Sequence, residues 1–299
     1  MSVILEKVKE PLEIPEALKS VIRTKDFEAF RFVDNVLDGD EPKIYNAYKI
    51  VTSENTFVLK KSEDEEFHEA EKKHYGLLKG LPVPGFYGAA EGFVLLGFVE
   101  GDDLLIASDE GVIAAAKSLS EIMNAYPMGR SYEDGRYKKY VKRLEKRAGY
   151  LKEEPELARA FSVFFEREKE IPLTLSNADL LPINVLFDGK KATLIDWEFG
   201  GFMPYALDIA RFIAHGRVSG NGSPFRMTDA QKKLFVDLVY DSLEVKPERS
   251  VYDRDILLAE FNECIEILEY YLGDPNVERG DTFKDYYPRA KELAARITE

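Results

Sequence analysis

One β-hairpin signal constrains the chain more than any other feature. INVLF at 183–187 and ATLID at 192–196, joined by the turn Asp188-Gly189-Lys190, interrupt a region that otherwise carries helical periodicity from about residue 104 onward. The helices expected around it cover 112–126, the charged stretch 131–170, 204–216, 228–246, 251–273 and 284–298. The first hundred residues read differently. FEAFRFVDNVL (27–37), KIYNAYKIVT (43–52) and TFVLKK (56–61) are rich in Phe, Tyr, Val and Ile and are separated by turn residues at 38–42 and 53–55. Such short connections predict an antiparallel meander.

A helix over 63–79 then interrupts the sheet, with Ser62 as its expected N-cap and Phe67, Ala70, His74 and Leu77 on one stripe. Gly80 and Pro82 end it, and GFYGAA (85–90) and GFVLLGFV (92–99) complete a five-stranded expectation. Glu100-Gly101-Asp102-Asp103 breaks the pattern and sets the expected boundary between a β-rich lobe, 1–100, and a mainly helical lobe, 101–299. The expected fold class is α+β, bilobal, with a small antiparallel sheet and one helix in the first lobe and helices in the second. Ligands commonly bind at such a junction.

Composition narrows the partners. The net charge is −14, from 41 Lys and Arg against 55 Asp and Glu. That balance opposes nucleic-acid binding, which needs clustered cations against phosphates, and is compatible with a cationic small molecule. A 45% hydrophobic and 12% aromatic content excludes global disorder. Cys264 is the one cysteine, so neither an intrachain disulfide nor a cysteine metal site is expected, and a reducing cytoplasm fits. The N-terminal apolar run is too short for a secretion signal, and no apolar stretch approaches the roughly 18 residues of a membrane span. His68, His74 and His215 are scattered without metal-ligand spacing and read as surface or packing residues.

The chemistry concentrates in the hairpin block, S-N-A-D-L-L-P-I-N-V-L-F-D-G-K-K-A-T-L-I-D-W-E-F-G-G. A hairpin returns its strands side by side, so Asn184 entering the first and Asp196 leaving the second are expected at the same end. Oxygens of an Asn and an Asp suit Mg²⁺, which takes one or two carboxylates, waters and phosphate oxygens. Asp179 is then left over as a base.

This block resembles the catalytic segment of the aminoglycoside phosphotransferase and choline kinase superfamily, H-x-D-L-x-x-x-N, then I-D-W-E, then D-L-A. Here those stand as N-A-D-L-L-P-I-N, I-D-W-E and Asp208-Ile209-Ala210. The resemblance implies a protein-kinase-like fold and transfer of the γ-phosphate of ATP or GTP to a hydroxyl of a small molecule. It implies Asp179 as the acceptor of the hydroxyl proton and Asn184 and Asp196 as Mg²⁺ ligands. Lys60, in V-L-K at the end of the third strand, matches the phosphate-pairing lysine. Strand alternation favours it over Lys61. Glu71 is its expected ion-pair partner, with Glu69 next. Backbone groups around Leu96, Gly97 and Phe98 are implied to meet the adenine, with Leu186 as an apolar floor and Ile195 beside it. Asn177 and Asp208 are implied to brace the catalytic loop.

Two departures support an alternative, a nucleotide-binding or ligand-sensing pseudokinase of the same fold. Asn177 stands where the family usually has His, and the turn at 38–42 carries one glycine and three acids where phosphates favour exposed backbone amides. A quaternary ammonium acceptor would call for an aromatic cage, and no clustered aromatic signature marks one; Trp197, the sole tryptophan, adjoins Asp196. The acids of the C-terminal helices, Asp253, Asp255, Glu260, Glu263, Glu266 and Glu269, read either as solvated helix faces or as the lining of a pocket for a polyamine-like or aminoglycoside substrate.

Overall fold

The structure, a computed structural model, describes residues 3–10, 12–24, 26–34, 43–62, 64–129, 135–274 and 276–299. The acidic turn at 38–42 lies outside them. The chain divides into two compact units, Met1–Gly101 with Ile195–Phe199, and Asp102–Leu194 with Gly200–Glu299. An α+β architecture results, with the larger sheet in the first unit and most helices in the second.

The first unit is built on a six-stranded antiparallel sheet with the order β1-β2-β3-β4-β6-β5. Its strands are β1 (Val3–Lys7), β2 (Glu28–Asp34), β3 (Lys43–Val51), β4 (Thr56–Lys61), β5 (Phe86–Ala90) and β6 (Phe93–Gly97). Strand β1 was not expected from sequence; it pairs with β2 through Ile4 opposite Val33 and Leu5 opposite Phe32. Helix α1 (Glu16–Ile22) is a second addition. Its Leu18 and Ile22, with Ile14 before it, pack on Phe57 and Leu59 of β4 and Leu95 of β6. Because side chains alternate along a strand, burying Phe57 and Leu59 on the α1 side turns Val58 and Lys60 to the other face.

Helix α2 (Glu65–Leu77) starts later than expected. Its N-cap is Asp64, not Ser62: the Asp64 carboxylate accepts the amides of Glu66 at 2.8 Å and Phe67 at 3.2 Å. Ser62 instead donates its hydroxyl to the Asp64 carbonyl. The buried stripe is also rotated from the expected one. His68, Glu71, His74 and Tyr75 are buried, whereas Leu77 is 37% exposed.

In the second unit the helices are α3 (Asp109–Ala125), α4 (Gly135–Tyr150), α5 (Pro155–Glu168), α6 (Ala206–Ala214), α7 (Asp229–Ser242), α8 (Arg249–Gly273) and α9 (Asp281–Thr298). The charged stretch 131–170 is therefore two helices, the second opening with Pro155 in its first turn, where a missing N–H costs nothing. Leu157, Phe161 and Phe164 of α5 join Phe261, Ile265 and Leu268 of α8 and Leu293 of α9 in one core cluster.

The expected hairpin is present as β9 (Val185–Phe187) and β10 (Ala192–Leu194), with Leu194 opposite Val185. At its turn Asp188 accepts the amides of Lys190 and Lys191, each at 2.9 Å. A short strand β7 (Asp102–Asp103) extends it, and β8 (Leu173–Ser176) pairs with β11 (Gly201–Pro204) on either side of the hairpin block. These last two strands bracket residues 177–200 in sequence.

Glu168, which ends α5, is buried and accepts the Tyr140 hydroxyl at 2.5 Å. Burial pushes its carboxyl up to about 8, against the bond from Tyr140. The folded protein thus keeps this proton at a pH where the unfolded chain, with a carboxyl near 4.5, has lost it. Its contribution to stability falls as pH rises between those two values. We expect Glu168→Gln, which has no proton to lose, to flatten the decline in unfolding free energy between about pH 5 and about pH 8. Urea unfolding of both proteins at the two pH values checks this, and an equal decline in both would rule Glu168 out as its source.

Candidate functional site

In the first unit the chemistry gathers on Lys60. Its Nζ donates to Glu71 Oε1 at 3.1 Å, pairs with Asp196 Oδ1, and lies 2.9 Å from Glu198 Oε2. Glu71 is 1% exposed. Burial works against the lysine's charge, but Asp196, Glu71 and Glu198 outweigh it and hold the ammonium well above its usual pKa. Burial in turn raises the Glu71 carboxyl to about 7, against the pull of Lys60. The competing residues lie elsewhere: Glu69 is exposed and bonded to Lys72 at 3.2 Å, and exposed Lys61 sits over the Phe93 ring.

The segment Ile195–Phe199 is anchored on α2. Trp197 is fully buried and its carbonyl accepts a bond from His74 Nδ1 at 3.1 Å, while Phe199 meets Phe67 edge to face. Asp196 adopts φ +62°, a left-handed conformation uncommon for a residue with a side chain. Leu96 is buried on β6 opposite Val58. The amides of Gly97 and Phe98 are both engaged, donating to the carbonyls of Gly85 at 2.7 Å and Thr56 at 3.1 Å. Leu186 belongs to the other unit, on β9 between Thr193 and Asp103.

In the second unit Asp208, in the first turn of α6 and 3% exposed, organises the loop after β8. Its Oδ2 accepts the Asn177 amide at 2.7 Å and its Oδ1 the Ala178 amide at 2.9 Å. Burial nevertheless raises its carboxyl to about 6 against those bonds. Ala178 turns the chain at φ +61°, after which the Asp179 amide donates to Asn177 Oδ1 at 3.1 Å. Asn184 Nδ2 then closes the loop onto the Asp179 carbonyl at 2.7 Å and Asp179 Oδ2 at 3.3 Å. Its nitrogen is thus the atom of the Asn184 amide turned to Asp179.

The phosphotransferase enzyme family, APH, has a profile that matches residues 43–241. The chain belongs to that family. It is also 22% identical over 166 residues to Protein LicA of Haemophilus influenzae, an alignment covering 54% of this chain and 59% of that protein, so it spans well under two thirds of the relative's length. In fold it is similar to choline kinase LicA from Streptococcus pneumoniae, with a TM-score of 0.59 at 16% identity over 88% of this chain and 93% of that one. An ADP-bound aminoglycoside phosphotransferase gives 0.53 at 12% identity, over 94% of this chain and 97% of that one.

This APH-family chain holds a residue that sequence reasoning missed. Arg211, one helical turn past Asp208 on α6, donates to Asp179 Oδ1 from Nε at 3.0 Å and Nη2 at 2.7 Å, and to Glu263 Oε2 from Nη1 at 2.7 Å. Burial disfavours its charge, yet Glu263, Glu266 and Asp179 hold its pKa above the usual value. The only signal in sequence was its place directly after the Asp208-Ile209-Ala210 motif.

The acids of α8 are arginine-paired. Asp255 and Glu263 are fully buried, the first held by Arg167 at 2.7 and 2.8 Å and by the Tyr205 hydroxyl at 2.8 Å. Glu266 contacts Arg143 and Arg147, Glu269 contacts Arg147, Glu260 contacts Arg289, and Asp253 contacts Arg249. The two fully buried ones are not the solvated face that their sequence allowed. All three histidines are buried as well. Among the described residues no helix is long and apolar enough to cross a membrane.

Proposed function

We propose that this chain transfers the γ-phosphate of ATP or GTP to the hydroxyl of a small, cationic alcohol of the choline or ethanolamine type. The observation that carries the reading is Lys60, a half-buried cation held by Glu71 from α2 and by Asp196, the arrangement that phosphate oxygens need beside a metal. The likeness to proteins named as choline kinase and aminoglycoside phosphotransferase supports the acceptor class.

Asp179 would take the hydroxyl proton as the acceptor oxygen bonds to the γ-phosphorus and the bond to the departing nucleoside diphosphate breaks. Asn184 through its amide oxygen and Asp196 through its carboxylate would hold Mg²⁺. This donor set fits a hard ion that keeps several non-protein oxygens, and no cluster of three or more His, Cys, Asp or Glu suited to a metal occurs among the described residues. When bound, the ion neutralises charge on the phosphates. Trp197 is fully buried, so an aromatic contact to a quaternary ammonium must come from other residues.

Nucleotide consumption by the purified protein tests the reading, with ATP and GTP separately, against choline, ethanolamine, aminoglycosides and sugars. The expected outcome is turnover that depends on an amino alcohol and stops when Mg²⁺ is chelated. Nucleotide hydrolysis indifferent to every acceptor would defeat it.

A further inference from the structure

The geometry points to Arg211 as a positioning residue that fixes the rotation of the Asp179 carboxylate. The inference rests on the phosphotransferase reading above. Both Arg211 bonds fall on the same oxygen, Oδ1, from Nε at 3.0 Å and Nη2 at 2.7 Å. A guanidinium donates in a rigid planar fork, so two bonds from it restrain a carboxylate more tightly than a lysine would. Oδ2 accepts the longer bond from Asn184, 3.3 Å. With Oδ1 so held, the carboxylate takes the proton in one fixed rotation when the acceptor's O–P bond forms and the nucleotide's O–P bond breaks, and no further reactant is needed.

Arg211 is itself held from behind. Its Nη1 donates to Glu263 Oε2 at 2.7 Å, and the same oxygen lies 3.3 Å from His215 Nε2. His215 Nδ1 is 2.7 Å from the Tyr286 hydroxyl. The contacts therefore run from the Asp179 loop through α6 to α8 and α9. Glu263 is fully buried and its Oε1 has no hydrogen-bond partner among the described residues. An ion pair of this kind contributes little net stability compared with apolar packing, and removing one member is costly. Orientation of Asp179 is the return that the geometry shows.

The test uses Arg211→Lys, Arg211→Met and the double variant Arg211→Met with Glu263→Gln, which removes the buried carboxylate's charge together with its partner so that folding is preserved. We expect kcat to fall ~100-fold in both Met-containing proteins, the scale of a misplaced catalytic group, with nucleotide KM within about two-fold of wild type and partial recovery in Arg211→Lys. An unchanged kcat in the folded double variant, or a loss carried entirely by nucleotide KM, would overturn the proposal. A second readout needs no turnover. The Arg211 Nε–H proton, assigned by its absence in Arg211→Lys, should exchange slowly with solvent in the wild-type protein and rapidly in Asp179→Ala. Wild-type exchange as fast as that of surface arginines would overturn the clamp. Slow exchange in a protein that phosphorylates no acceptor would instead sink the phosphotransferase reading and leave the clamp standing.

Discussion

Asp179→Asn is expected to lower kcat ~1,000-fold or more while nucleotide affinity changes little. The substitution keeps the shape of the side chain and an oxygen for Arg211, but an amide takes no proton from a hydroxyl. General-base removal costs roughly 100- to 10,000-fold, and the upper half of that range applies where the base is rigidly placed. The loop should survive, because it is built from backbone and neighbouring groups. Asp208 holds the amides of Asn177 and Ala178, and Asn184 holds the Asp179 carbonyl. Steady-state kinetics and a nucleotide titration on the same preparation decide the matter. Turnover retained within about ten-fold would remove Asp179 from the role of base.

Lys60→Met should be the most damaging single change in the first unit, for stability as well as for nucleotide binding. It leaves Glu71, which is 1% exposed, beside Asp196 and Glu198 with no cation between them. Removing one member of a buried ion pair costs about 3–5 kcal/mol, and the partial exposure of Lys60 places the expected loss near the lower bound. Adding Glu71→Gln should return part of it, since the neutral amide carries no desolvation penalty for charge. Denaturant unfolding of the single and double variants measures both numbers. If Lys60→Met were as stable as wild type, the three carboxylates would have to be satisfied without the lysine.

The reasons that parts of the site were visible in sequence, and others not, are specific. Lys60 is preferred to Lys61 because it ends the V-L-K run and shares a strand face with apolar Val58, and the Asp188-Gly189 turn marks the β9–β10 hairpin. The start of α2 was misplaced because Ser62 and Asp64 are both good caps, and only the backbone geometry decides which oxygen reaches the first-turn amides. Its buried stripe was misread for a different reason. The residues that α2 buries include His68 and Glu71, which any hydropathy pattern counts as solvent-facing, and only His74 of the buried set stood on the expected stripe. Strand β8 is four residues long and finds its partner β11 only after the hairpin block has intervened, so no local alternation announces the pair. Arg211 could be placed in the sequence but not its partners, since Asp179 and Glu263 lie 32 and 52 positions away.

Ile195–Phe199 belongs to the first unit although the residues on either side belong to the second. No single cut of the polypeptide therefore yields two complete halves. A fragment ending at Gly101 would lack Asp196 and Glu198, two of the three carboxylates on Lys60, and the carbonyl that His74 binds. A fragment beginning at Asp102 would carry five residues whose contacts had been left behind. The ion pairs of Lys60 with Asp196 and Glu198 can form only after ribosomal synthesis has passed residue 198, so the first unit, with Glu71 as its only earlier partner for that lysine among the described residues, must wait for much of the second before its chemistry is assembled.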